Sequence, residues 1–132
     1  MNDVNAPRRF VIRYADDNEV TLEVDPAVLT LEMAAEINNF HGPIMAELRL
    51  ADQNGDLLAT VARMFGACAL FCMAADGGAQ IEEGEAEAAA LYVNNTLVQE
   101  HEGWPTYEEL GIRIVSAYVA APNYHDVTLE AV

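Results

Sequence analysis

Two cysteines, Cys68 and Cys72, stand four residues apart inside an apolar stretch. In a helix that spacing puts both thiols on one face. Two thiolates joined by His41, His101 or His125 would make a zinc donor set. Zinc motifs usually pair their ligands closely at each end, and this chain has no His pair. A third Cys spaced for an iron–sulfur cluster is also missing, since position 75 is Ala. Both cysteines are therefore read as small buried hydrophobes. Glu100-His101-Glu102 could raise an imidazole pKa and do acid–base work. A nucleophile to serve it is lacking: Ser116 is the only Ser, on an expected strand with no glycine elbow around it. The triplet reads as a charged helix end. Gly77-Gly78 follows a helix rather than a strand, so it is not a phosphate loop, and no Asp-x-Asp calcium loop occurs. No residue is assigned a catalytic, cofactor-binding or metal role, and no cofactor is expected.

Two further side chains stand out. Asn95 falls on an apolar helical face, where an amide must find partners or cost about 1–3 kcal/mol. It is expected to bond the loop after the helix or a facing Tyr, or to fix helix register. Trp104, before Pro105, reads as a lid over one end of the core rather than as a recognition residue.

The charge is more informative than any of these groups. The 132 residues carry 22 acids against six bases, a net charge of −16, and all six bases are Arg. Such a field repels nucleic acid and anionic lipid, so direct binding to either is not expected. It favours basic surfaces on other proteins. Plain solubility by self-repulsion is the competing explanation, and a high-salt cell is another. No Lys or Arg lies between Arg63 and Arg113, whereas that span holds nine acids. Glu82, Glu83, Glu85, Glu87, Glu100, Glu102, Glu108 and Glu109 are the candidate partner-binding residues. A one-signed surface of this length could imitate a DNA phosphate path and fill a basic groove. The bland reading is a solvated helix face.

The elements that must carry these groups follow from periodicity. The apolar fraction is 52%, enough for a folded core. Residues 1–7 read as a loose tail. Phe10, Ile12 and Tyr14, then Val20, Leu22 and Val24, alternate around Asp16-Asp17-Asn18, which predicts a hairpin. Asp25-Pro26 opens a helix with Leu29, Met33, Ile37 and Phe40 on one stripe, stopped by Gly42-Pro43. Residues 44–51 suit a short helix or a strand equally. Leu57 to Ala75 predicts a second helix. It is apolar enough to raise a membrane span, but an Arg near its middle would cost about 2.5–3.5 kcal/mol in a bilayer, and acids flank it at both ends. A buried helix is expected, and no membrane. A third helix runs from Ile81 to Glu100, with Ala88, Leu91, Tyr92, Asn95 and Val98 inward. Ile112, Ile114, Ser116 and Tyr118 alternate, Pro122-Asn123 turns the chain, and Val127, Leu129 and Ala131 alternate again, predicting a second hairpin.

The expected fold is α+β over a single domain of residues 1–132: an antiparallel four-stranded sheet from N- and C-terminal hairpins, with about three helices between them packed on one face, in the order ββαααββ. The paucity of Cys and the lack of an apolar leader in residues 1–9 point to a reduced, cytoplasmic home.

Glu36-Ile37-Asn38-Asn39-Phe40, Arg63-Met64-Phe65, Gly103-Trp104-Pro105 and Gly111-Ile112 occur in one order along the chain. In that order the chain resembles a family of short acidic bacterial and phage proteins of unknown function. The resemblance implies a bacterial or mobile-element origin and carries no activity. The leading expectation is a non-enzymatic binding protein that meets a basic or nucleic-acid-binding protein by its acidic face. The alternatives are a homodimeric structural or accessory subunit, and a thiol- or metal-dependent enzyme using Cys68 and Cys72.

Overall fold

The computed structural model describes residues 6–15, 17–121, 125 and 127–132. Residues 1–5 of the expected tail, Asp16 of the first turn, the Pro122-Asn123 turn, and Asp126 lie outside the described residues.

The N-terminal hairpin forms as expected. Strand β1 (Arg8–Tyr14) pairs antiparallel with β2 (Asn18–Val24), from Arg8 opposite Val24 to Tyr14 opposite Asn18. Val20, Leu22 and Val24 are wholly buried, so the period-2 pattern faces the core. The helix after it starts later than Asp25-Pro26. The Asp25 side chain instead accepts from Ala27 N and closes a turn, and Thr30 becomes the cap of α1 (Leu31–Phe40), its hydroxyl accepting from Met33 N. Phe40, expected on the inner stripe, is exposed, and Asn38 is buried in its place. Residues 44–51 are helical, within α2 (Pro43–Asp52), which begins on Pro43 as a first-turn residue.

Helix α3 (Leu57–Ala75) is capped by Asp56, whose side chain accepts from Ala59 N. It is long and apolar enough to cross a membrane, and more than half of its residues are buried inside the fold. It packs on β1, β2 and β4, on α1 and α2, and on the helix that follows. Arg63, Ala67, Phe71 and Ala75 are exposed at steps of four and form its one open stripe.

Gly77-Gly78 ends α3, and there the expected layout fails. A strand, β3 (Ala79–Ile81), follows at once. Gly78 has φ +92°, and a Cβ there would lie 2.7 Å from the Val119 carbonyl, so only glycine lets the chain turn so close to the sheet. A composite helix comes next: a 3₁₀ turn (Glu83–Glu85), α4 (Ala86–Ala89), a π-helical stretch (Ala90–Leu97) and a closing 3₁₀ turn (Val98–Glu100). The wider π turn rotates the inner face. Ala89, Ala90, Val93, Asn94 and Val98 are buried, whereas Ala88 and Leu91 are exposed. The five-residue step from Val93 to Val98 is the mark of that wider turn.

After the single-turn helix α5 (Tyr107–Leu110), strand β4 (Ile112–Val119) completes the sheet, in the order β1-β2-β4-β3, antiparallel throughout. Leu22 faces Ile114 and Thr21 faces Ser116, so Val115 is an extra residue, a β-bulge. The bulge flips the strand's sense: Ile112 and Ile114 are buried before it, Ala117 and Val119 after it, while Tyr118 turns outward. The expected alternation of Ile112, Ile114, Ser116 and Tyr118 on one face is thereby corrected. The expected second hairpin is corrected too. Residues 127–132 form no strand, and Val127 and Leu129 are exposed. With β2 on one edge of β4 and β3 on the other at Ala117–Val119, the end of β4 that a hairpin return would pair with is taken. The architecture is α+β with a four-stranded antiparallel sheet and helices on one face, but the fourth strand comes from the middle of the chain.

Candidate functional site

All eight candidate glutamates are exposed. Glu82, Glu83, Glu85 and Glu87 cluster at the start of the composite helix, where its positive end stabilises acids. Two of them also do local work: Glu82 N donates to Glu85 Oε1 at 2.9 Å, and the Glu82 side chain closes the other half of a capping box. Glu87 and Glu108 line one groove together with Tyr107, Asn95 and Arg113. Glu100 and Glu102 lie at the far end of the composite helix, Glu102 in a separate cleft. Glu82 to Glu87 and Glu100 with Glu102 thus mark the two ends of the composite helix, roughly 25 Å apart at about 1.5 Å per residue, while Glu108 and Glu109 stand on α5.

The arginines are placed elsewhere and mostly taken. Arg9, Glu23 and Arg113 sit opposite one another across β1, β2 and β4. Glu23 pairs with Arg9 at 3.1 Å and with Arg113 at 2.9 Å. Arg13 pairs with Glu19, and Arg8 with Asp56 at 2.6 Å. Arg49 binds the Asn38 side chain and the carbonyls of Asn38 and Gly42. Arg9 also reaches Glu83 at 2.9 Å, the one ion pair made by any of the eight among the described residues. Spacing in sequence gave no hint of that contact, because 74 positions separate the two residues.

The amide reading shifts by one position. Asn95 is partly buried, and its Oδ1 accepts from Tyr107 N at 2.9 Å, at the start of α5. The fully buried amide is Asn94. Its Nδ2 donates to the Ile112 carbonyl at 3.0 Å, and its Oδ1 has no partner. Trp104 is buried, edge-on to Phe65 at 5.4 Å and tilted over His41 at 4.7 Å, as a core lid should be.

Cys68 and Cys72 share a face of α3, their sulfurs 3.9 Å apart. The loop after the composite helix brings His101 to them, and the three ligand atoms lie within 4.8 Å of one another. Neither His41 nor His125 belongs to that group. The loop is fastened: Gln99 Nε2 donates to the carbonyls of Asn94, Trp104 and Pro105. A cleft of about 410 Å³ opens beside it, lined by His41, Met64, Cys68, His101, Glu102 and Trp104. Burial, and then the neighbouring Cys72, push the Cys68 thiol up to about 12; burial raises Cys72 as well. Neither cysteine is a ready thiolate nucleophile near neutral pH. Burial lowers the His41 pKa against an opposing contribution from the Gly103 backbone, with the charge of Arg49 adding to the lowering.

The sequence profile of a family described as "Protein of unknown function (DUF2528)" matches residues 19–129. The chain belongs to this family. The matched span takes in all four fragments that carry the resemblance, together with the eight glutamates, both cysteines and His101. No curated protein and no solved structure matches the chain. Strand β1, with Arg8, Arg9 and Arg13, precedes the span that matches DUF2528, so Arg9, the partner of Glu83, is contributed from outside it.

Proposed function

We propose that this DUF2528 protein is a non-enzymatic, cytoplasmic binding protein of phage or mobile-element origin, whose acidic side engages a basic or nucleic-acid-binding protein. One observation carries the reading: the eight glutamates from Glu82 to Glu109 are all exposed, and among the described residues Glu83 alone of them pairs with an arginine. Their charge is left to the solvent or to a partner, while the arginines of β1 and β4 are occupied by Glu23, Glu19 and Asp56. Charges spread over the composite helix, the loop after it and α5 in this way steer a basic surface and set its orientation.

The test avoids glutamates that support the fold. Glu82, Glu83 and Glu85 make internal bonds, so the informative changes are Glu87→Gln and Glu108→Gln, in the shared groove. Affinity capture with the unmodified protein should recover a basic protein and release it as salt rises. The double variant should recover less. Equal capture by the double variant sinks the reading.

A specific feature favours one alternative, a homodimer. Helix α2 exposes Ile44, at 90%, with Met45 and Leu48 beside it, and α1 ends on exposed Phe40. Apolar side chains so grouped suit burial against a second copy. Light scattering at micromolar concentration decides it: a monomer mass excludes the dimer, and a dimer mass that Ile44→Glu reduces to monomer supports it.

A further inference from the structure

Cys68, Cys72 and His101 bring three potential metal-ligand atoms within 4.8 Å of one another. Each comes from a rigid source. The cysteines sit one turn apart on a helix buried against the sheet, and Cys72 is itself buried. His101 follows the composite helix directly, held edge-on to Phe71 at 6.3 Å. The loop behind it is tied by Gln99 to the Trp104 and Pro105 carbonyls and by Trp104 to the core. These contacts keep the three donors close together before anything binds, which favours coordination.

The sulfur spacing suits a tetrahedral ion as well as a thiol hydrogen bond, and a small turn of the His101 side chain would bring its nitrogen into the same shell. Two sulfurs about 2.3 Å from a tetrahedral zinc ion lie ~3.8 Å apart; the two here are 3.9 Å apart. A disulfide needs an S–S distance of about 2.05 Å, and both cysteines are free. The imidazole of His101 falls within the 4.8 Å limit that encloses all three donor atoms. Two thiolates and an imidazole are soft and borderline donors, which select zinc-class divalent ions over magnesium or calcium. We infer that Cys68, Cys72 and His101 form a binding site for a zinc-class divalent cation. Binding displaces one proton from each thiol and none from the neutral imidazole, leaving a neutral Cys₂His complex. The fourth coordination position faces the cleft that Cys68 and His101 line, where water can complete the tetrahedron. The ion would clip the loop at residues 101–105 to α3, joining two segments some 30 positions apart in sequence.

The test uses the reduced, metal-free full chain and cobalt(II) as the probe, with zinc(II) as competitor. The expected result is one cobalt per chain, a near-ultraviolet sulfur-to-cobalt charge-transfer band, tetrahedral visible bands, and loss of all of these when zinc is added. Even outer contacts to a metal site are worth about 10–100-fold in affinity; losing a direct ligand in Cys72→Ser or His101→Ala should therefore weaken binding by about 100-fold or more. His125→Ala should leave it unchanged. His101 is exposed, so its variant keeps the fold even if Cys72→Ser does not, and circular dichroism checks this. No charge-transfer band on the folded protein overturns the site. So does a band of undiminished affinity in His101→Ala.

Discussion

Asn94 is a fully buried amide: it spends its amide hydrogen on the Ile112 carbonyl, and its Oδ1 has no partner among the described residues. That bond fastens the π stretch to the first residue of β4. Replacing Asn94 with Ala strands the carbonyl and opens a small void. A loss of about 1–3 kcal/mol in urea unfolding is the expected result, and a loss below a few tenths would show that water replaces the amide. Asp56 is the other residue with two duties, as cap of α3 and as bidentate partner of Arg8. The Arg8 guanidinium, chiefly by hydrogen bonding, holds the Asp56 carboxyl below its usual range. The sign follows from that depression: the stabilisation is complete above the unfolded value near ~3.9 and is lost as pH falls through the lower folded one. Asp56→Asn keeps a capping oxygen but does not titrate. The stability gap between wild type and Asp56→Asn should therefore close as the pH falls below about 4. A gap that stays constant to the acid limit would show that Arg8 adds nothing.

Among the elements, α3 and β1 meet closely at Gly66. A Cβ on Gly66 would lie 2.4 Å from Ile12 Cγ1 and 3.1 Å from its Cβ. Gly66→Ala should gain about 1 kcal/mol of helix propensity, yet lose more to overpacking against a stiff β-branched side chain, for a net loss of about 1–2 kcal/mol. In an Ile12→Ala background the loss should shrink, which a double-mutant cycle by chemical denaturation measures. What could be read from sequence divides along physical lines. The β1–β2 hairpin and α3 were legible because Val20, Leu22 and Val24, or Leu57, Val61, Met64, Phe65, Cys68 and Cys72, repeat at the period of their own element, although Phe71, expected on the same stripe, is exposed. The composite helix was legible as a helix but not in its facing, since a π turn is set by packing and by the Thr96 and Gln99 side chains that bond the Leu91 and Asn94 carbonyls. Strand β3 was hidden because three residues carry no period. The expected return strand at Val127–Ala131 had the period, but the end of β4 it would pair with is already taken by β2 and β3. At the candidate site, the cysteine pair was visible from spacing. The choice of His101 over His41 and His125 was not, because a loop supplies it.

For the molecule as a whole, charge is the dominant quantity. At −16, unpaired acids repel one another more in the folded chain than in the expanded one. Screening should therefore stabilise it: Tm should rise between about 0.05 and 0.5 M sodium chloride, as the screening length contracts from above ~10 Å toward ~3 Å. Capture of a basic partner should weaken over the same range, so the two trends separate folding from binding. A Tm that does not move with salt would mean that the surface acids lie too far apart to matter. The order of synthesis adds a constraint of another kind. Strand β4 lies between β2 and β3, yet it is the last of these elements to be made. Helix α3 ends at Ala75 and β4 begins at Ile112. At about 5–20 residues per second, the ribosome leaves the most apolar helix of the chain waiting for roughly 2–7 s without the strand that completes its floor. During that interval its available cover is what has already emerged: α1, α2 and the first hairpin, whose Ile12 fits against Gly66. The glycine that looks like a defect in a helix is then what lets the newborn helix lie flat on the half-built sheet.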